Sequence, residues 1–349
     1  MRTLVTPRNY LPSSGRCALI VMSLVLLAAV DPPATSPAPP SAAAPVAAEP
    51  AGPKIQPTPP TETPPSSEAS EIVVEAPEPR YVAPTRRDRI GRIWAPVLID
   101  GKGPFRLVLD TGASHSAVTA DVARQLGAPL VESDQVMLRG VTGSKVVPFI
   151  PVESLIFGDM EVRPRHLPII TDALGGADGV LGAEGLLDKR IRIDFRHDSI
   201  TIKKSHLERP EFGMVTVPFH LANGRLTVVD ARIGDIPVNA IIDTGGQASI
   251  GNLALASALT RMYREGAGKH DEITGATLDV QPGDRIRAPP IVLGGLTLSE
   301  VRLTMSDVYI FHYWKMTGEP TLMVGMDLLG LLDTLIIDYR RRELQIRLR

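Results

Sequence analysis

The sequence predicts a mainly β, two-lobed fold made by internal duplication, with few short helices. Three observations carry this expectation. Five short motifs occur twice, in the same order and at nearly the same spacing. The segments around them are short, β-branched and bounded by Gly, Asn, Asp or Pro, which is the pattern of strands and tight turns. Helical periodicity is confined to Thr119 to Leu126, Leu253 to Tyr263 and the leucine-rich stretches after Gly182 and Gly325.

At the N-terminus, residues 2 to 16 carry Arg2, Arg8 and Arg16 and no acid, and the 13-residue apolar run Ala18 to Val30 follows. This is the layout of a secretory signal. The run is shorter than the roughly 20 residues of a membrane span, yet Val30 and Asp31 form a poor cleavage site, so a cleaved signal and a retained membrane anchor both fit residues 1–30. Either places the rest outside the cytoplasm, in the periplasm or the medium.

Residues 31–90 form the next segment. Of 32 prolines in the chain, 15 lie between Asp31 and Arg80, a stretch with no aromatic residue and a single glycine, Gly52. Such a composition buries too little apolar surface to offset its ordering entropy, so a disordered, partly polyproline-like linker or propeptide is expected. The remaining residues suffice for two small lobes with cores of their own, expected at 91–208 and 209–349. Lys and Arg number 37 against 39 Asp and Glu, a balance that argues against a nucleic-acid partner. Cys17 is the only cysteine, which excludes disulfides and thiolate metal sites.

The repeat defines the two lobes. Val108-Leu109-Asp110-Thr111-Gly112 returns as Ile241-Ile242-Asp243-Thr244-Gly245. Val141-Thr142-Gly143-Ser144 and Ile273-Thr274-Gly275-Ala276 follow, their glycines 33 and 32 residues after the aspartates. Leu155-Ile156-Phe157-Gly158 is matched by Ile291-Val292-Leu293-Gly294, and Val180-Leu181-Gly182 by Met323-Val324-Gly325. Finally Ile193-Asp194-Phe195-Arg196 is echoed by Ile337-Asp338-Tyr339-Arg340. Asn223-Gly224 reads as a two-residue hairpin turn. The second half is longer, with 31 residues between Gly294 and Gly325 where the first has 24 between Gly158 and Gly182.

Duplication supplies a pair of aspartates. Hydrolysis of a peptide bond without metal, cofactor or covalent nucleophile requires a water held between a base and an acid, and two carboxyl groups sharing one proton provide both. One aspartate from each half would meet its counterpart on a pseudo-two-fold axis, and these are Asp110 and Asp243. The glycines Gly112 and Gly245 permit close backbone approach, and the hydroxyls of Thr111 and Thr244 can reach across the axis. A single Asp-Thr-Gly is more readily a hairpin turn; two in matched contexts are not.

On these motifs, from about Arg92 to Ile346, the chain resembles the retropepsin-like aspartic proteases in their tandem, single-chain bacterial form. The resemblance implies an acid-protease-like two-lobed β fold, Asp110 and Asp243 as the catalytic dyad, and Thr111 with Thr244 as its braces. It implies strands ending at Gly182 and Gly325 behind each catalytic loop, and two flap tips at Gly140, Thr142 and Gly143 and at Thr274 and Gly275. It further implies a polypeptide substrate and an endopeptidase acting as a monomer with no cofactor or metal. Pepsin-type enzymes keep one flap with a tyrosine, and no tyrosine neighbours either tip in this sequence. They also often carry Ser or Thr after each triplet, where this chain has Ala113 and Gly246, which leads us to expect a milder pH optimum.

Other signals are weaker. None of the seven histidines has a metal-ligand spacing, Gly101-Lys102-Gly103 reads as a hairpin turn, and Ser114-His115 are sequence neighbours rather than a positioned nucleophile and base. Phe311-His312-Tyr313-Trp314 suits either packing or a substrate subsite. The arginine-rich C-terminus reads as the solvated face of a terminal strand. A rival reading of the whole is a catalytically silent envelope module that holds a peptide in the same cleft.

Overall fold

Each Asp-Thr-Gly sits at the end of a strand that begins with a tight turn, and the two halves repeat this arrangement strand for strand. The structure is a computed structural model describing residues 92–128, 134–158, 160–171, 175–222, 225–263 and 269–348, with Arg2–Val5, Ala18–Ile20, Leu24–Val25 and Arg80–Pro84 as backbone strands. The remainder of residues 1–30 and 31–90, and the Asn223-Gly224 turn, lie outside the described residues.

In the first half, Trp94–Ile99 turns at Asp100-Gly101, both at positive φ as a two-residue hairpin requires, into the antiparallel strand Lys102–Leu109. Leu107 to Leu109 then run parallel to Gly179–Leu181. In the second half, Arg225–Ile233 turns at Gly234-Asp235 into Ile236–Ile242, whose last four residues run parallel to Thr321–Val324. Strands flanked on both sides read as unbroken apolar runs, and Leu107, Leu109, Ala240 and Ile241 are fully buried. The chain after each triplet re-enters the sheet beside the same strand. Ala117–Thr119 pairs with Gly179–Leu181 and His166–Ile170, while Ile250–Gly251 pairs with Thr321–Val324 and Arg302–Met305.

Short helices follow, as the periodicity predicts. Ala120–Leu126 is capped by Thr119, whose hydroxyl accepts from the Val122 amide, and stops at Gly127 in the left-handed region. Leu253–Tyr263 is capped by Asn252, whose Oδ1 accepts the Leu255 amide at 2.9 Å. After Gly325 the leucine-rich segment forms the helix Met326–Leu329, whereas the segment after Gly182 stays a run of turns. Tyr309–Tyr313 adds a fourth short helix, inside the longer interval of the second half.

The halves are joined by a central antiparallel sheet. Lys189–Asp194, paired with Ser199–Lys204, lies against Leu332–Asp338, paired with Glu343–Leu348. Arg190 stands opposite Asp338, and Asp194 opposite Thr334. Thus a strand that closes the first half pairs with the penultimate strand of the second. One face is apolar, with Ile191, Ile193, Ile200, Ile202, Leu335, Ile337, Leu344 and Ile346 in one core cluster. Among the polar groups, buried Arg190 pairs with Asp338 at 3.1 Å and donates to Gln345 Oε1 at 2.9 Å, and the Ser205 hydroxyl donates to Asp338 at 2.7 Å.

Candidate active site

The two triplets end their strands facing one another. The Asp110 and Asp243 amides donate to the carbonyls of Leu181 and Val324, each at 3.0 Å, so each aspartate is fixed to the parallel strand behind it. The chain then turns back so that two successive amides point at the carboxyl group. Gly112 and Ala113 donate to Asp110 Oδ1 at 2.8 and 3.0 Å, and Gly245 and Gly246 donate to Asp243 Oδ1 at 3.0 and 2.9 Å. A methyl group at Gly112 would lie 2.9 Å from Asp243 Oδ1, and one at Gly245 would overlap the Asp110 carboxyl. Each glycine therefore lies against the opposite aspartate, the close approach that only glycine permits.

Thr111 and Thr244 link the two turns. The Thr111 hydroxyl donates to the Ile242 carbonyl at 2.9 Å and accepts the Thr244 amide at 3.2 Å. Thr244 does the reverse, with its hydroxyl 2.8 Å from the Leu109 carbonyl and 3.1 Å from the Thr111 amide.

Electrostatics separate the two carboxyl groups. Burial, followed by the charge of Asp110, pushes the Asp243 carboxyl well above the ordinary carboxylate range, outweighing the Gly246 and Gly245 amides that favour its ionised form. The pair therefore holds a proton at Asp243 when an isolated aspartate would have lost it. Tyr339 is also buried, and its phenol is pushed up by burial and by the Asp110 charge.

The expected flap residues belong to two hairpins, Gln135–Gly140 with Ser144–Pro151 and Lys269–Thr274 with Val280–Arg287. Their tips meet. The Gly275 amide donates to Thr142 Oγ1 at 3.1 Å, and Gly140 lies beside Ala276 and Thr277. Thr274 ends its strand, and Gly140 and Gly143 close the first tip through an amide-to-carbonyl bond of 2.8 Å. Each tip packs into the opposite half. Val141 joins Ile241, Ile310, Phe311, Trp314 and Met323, while Ala276 joins Val108, Ala113 and Ala117. Phe311 and Trp314 are thus packing residues, and the Ile310 amide donates to the Val141 carbonyl at 3.0 Å. The Arg139 guanidinium lies 4.8 Å from the centre of the Tyr313 ring.

Two further pairs escaped the sequence reading. Ser116 and Ser249 each stand six residues after an aspartate of the pair, and Glu184 and Asp327 each stand two after the glycine of an apolar-apolar-Gly triplet. All four are bonded beneath the catalytic turns. Extending the comparison of the halves by these few residues would have found them. Ser114 and His115 lie 3.3 Å apart as simple neighbours.

Two facing Asp-Thr-Gly turns on a duplicated β framework define an acid-protease type of architecture. A family model described as aspartyl protease matches residues 95–184 and again 229–328, once on each half, and the chain belongs to that family. Among solved structures, an aspartic proteinase from Irpex lacteus is 13% identical, with 77% of this chain and 97% of that one covered and a TM-score of 0.49. A retropepsin-like aspartic protease from Rickettsia conorii is 19% identical over 38% of this chain and 98% of its own, with a TM-score of 0.26. No curated protein matches.

Proposed function

We propose that this protein is an exported aspartic endopeptidase that cleaves an extended polypeptide with a water activated between Asp110 and Asp243. The observation that carries the reading is the pair of buried carboxyl groups, Asp110 and Asp243, whose turns are set against one another by the reciprocal bonds of Thr111 and Thr244. Ionised Asp110 takes a proton from the water as its oxygen attacks the scissile carbonyl, and Asp243 gives its proton to the carbonyl oxygen. Collapse of the tetrahedral intermediate breaks the C–N bond, the leaving nitrogen takes the proton now on Asp110, and a hydroxyl of the intermediate returns its proton to Asp243 as the new carbonyl forms. Backbone donors are already aimed at both inner oxygens, so little reorganisation accompanies the charge movement.

Burial of the dyad under the two hairpins supports a gated cleft, in which the tips part to admit substrate and close to exclude water. One chain supplies both aspartates, so a monomer suffices. The arginines before the apolar run Ala18 to Val30 support a periplasmic or secreted location, with that run removed or kept as an anchor. The test is incubation of the chain with an unfolded polypeptide across pH 3 to 8, with and without Asp110→Asn. We expect cleavage by the parent alone. No cleavage by either form would favour a binding module, although such a module has no use for two buried acids.

A further inference from the structure

Hydrolysis accounts for Asp110 and Asp243 but not for a second pair of acids, Glu184 and Asp327. Glu184 is half-buried and Asp327 exposed, yet each carboxyl group accepts hydrogen bonds from a serine that lies beside a turn of the pair. In the first half, the Ser116 amide donates to Glu184 Oε1 at 2.5 Å and the Gly182 amide donates to the Ser116 hydroxyl oxygen at 3.0 Å. In the second, the Ser249 amide and hydroxyl donate to Asp327 at 3.1 and 2.7 Å, and the Gly325 amide donates to the Ser249 hydroxyl oxygen at 3.0 Å. Backbone bonds complete each tie. The Ala183 amide donates to the Ala113 carbonyl and the Met326 amide to the Gly246 carbonyl, both at 2.8 Å. Ala113 and Gly246 are the residues whose amides hold the carboxyl groups of the dyad.

We propose that Glu184 and Asp327 are positioning residues, an outer pair of acids that act through Ser116 and Ser249 to hold the turns carrying Asp110 and Asp243 in the geometry hydrolysis requires. This rests on the hydrolytic reading above. The two acids are not equivalent. Glu184 receives its backbone donor on one oxygen, and Oε2 has no hydrogen-bond partner. Asp327 receives three donors, from the Ser249 amide, the Ser249 hydroxyl and the Leu328 amide. A neutral amide can replace Glu184, because its carbonyl oxygen keeps the one required acceptor. At Asp327 it cannot, because the amide nitrogen would face a donor.

The experiment compares kcat and KM of the full chain with those of Glu184→Ala, Glu184→Gln, Asp327→Ala and Asp327→Asn, per folded molecule by circular dichroism. Cleavage by the parent and none by Asp110→Asn is required first, so failure of the hydrolytic reading is seen separately. Both alanine variants should lose about tenfold or more in kcat with KM within about twofold, as residues that act by positioning the turns should. Glu184→Gln should return to within about threefold of the parent, and Asp327→Asn should remain as impaired as Asp327→Ala. Should Asp327→Ala not fold, Ser249→Ala tests the same tie and should show the same fall in kcat. Unchanged kcat in folded alanine variants, a change in KM alone, or equal impairment of Gln and Ala at position 184 would overturn the proposal.

Discussion

Thr111 and Thr244 brace one another reciprocally: the amide of each donates to the hydroxyl oxygen of the other, at 3.1 and 3.2 Å, in a fully buried site. Each hydroxyl also donates to the carbonyl immediately before the partner's aspartate. Replacing Thr111 by alanine leaves the Thr244 amide and the Ile242 carbonyl without these partners. Each stranded buried group costs about 1–3 kcal/mol, so Thr111→Ala should lower the unfolding free energy by roughly 2–6 kcal/mol. Thr111→Ser should retain most of it. Urea unfolding of single and double alanine variants should show strong non-additivity, because both residues belong to one network.

Asp243 makes stability depend on pH in a definite direction. Its carboxyl titrates higher in the folded chain than in the unfolded one. As pH rises above the ordinary carboxylate range, the unfolded state releases this proton first and gains on the folded state, so the contribution falls with rising pH. Asp243→Asn removes that penalty. The variant should melt at nearly the parent temperature near pH 3 and several degrees higher near pH 7, by scanning calorimetry at both values. A gain that shrinks as pH rises would contradict the assignment of the proton to Asp243.

The residues after each triplet should set the pH profile of the proposed activity. Ala113 and Gly246 offer only their amides to the dyad, and those are spent on the inner oxygens. Serine at both positions adds hydroxyl donors that favour the ionised carboxylates. The pH profile of kcat/KM should move downward in the Ala113→Ser, Gly246→Ser double variant, from a parent optimum that is only mildly acidic. A parent optimum near pH 2 would count against this account.

The proposed opening of the cleft would have a local reporter. The Ile310 amide is bonded to the Val141 carbonyl at the first flap tip, so it is released when that tip lifts. In hydrogen exchange by mass spectrometry or NMR, Ile310 and the tip residues 141–143 and 275–279 should exchange faster than Asp110 and Asp243, whose amides lie in the central strands. Tyr313→Ala, which removes the ring under Arg139, should speed Ile310 further.

The duplication made most of the framework legible, because a tight turn, an apolar strand and an Asp-Thr-Gly recur in one order and only one packing places both aspartates on an axis. The helix Leu253–Tyr263 has the bounds its periodicity predicts. What could not be read was which half covers which residue. Val141 and Ala276 look alike as flap-tip apolar residues, yet each is buried by the other half, a long-range contact that local alternation does not encode. Ser116 and Ser249 were obscured because the intervening residues, Ala113-Ser114-His115 and Gly246-Gln247-Ala248, share little chemistry. Their acid partners differ in length, Glu184 against Asp327. Phe311 and Trp314 sit in an interval that the first half does not match in length, so packing and substrate contact stayed equally consistent with their sequence.

The register of the central sheet has a consequence for how the dyad arises. Arg190 opposite Asp338 and Asp194 opposite Thr334 are images of one another, with the axis passing through the pair Arg192 and Ile336. A pairing of this kind is self-complementary, the isologous contact by which two copies of a half-chain would associate. Fusing the halves converts that bimolecular encounter into an intramolecular one, so assembly of the dyad no longer depends on protein concentration. It also releases the halves from identity. His115 and Glu184 on one side and Ala248 and Asp327 on the other are a divergence that a homodimer, bound to repeat every substitution twice, has no means to acquire.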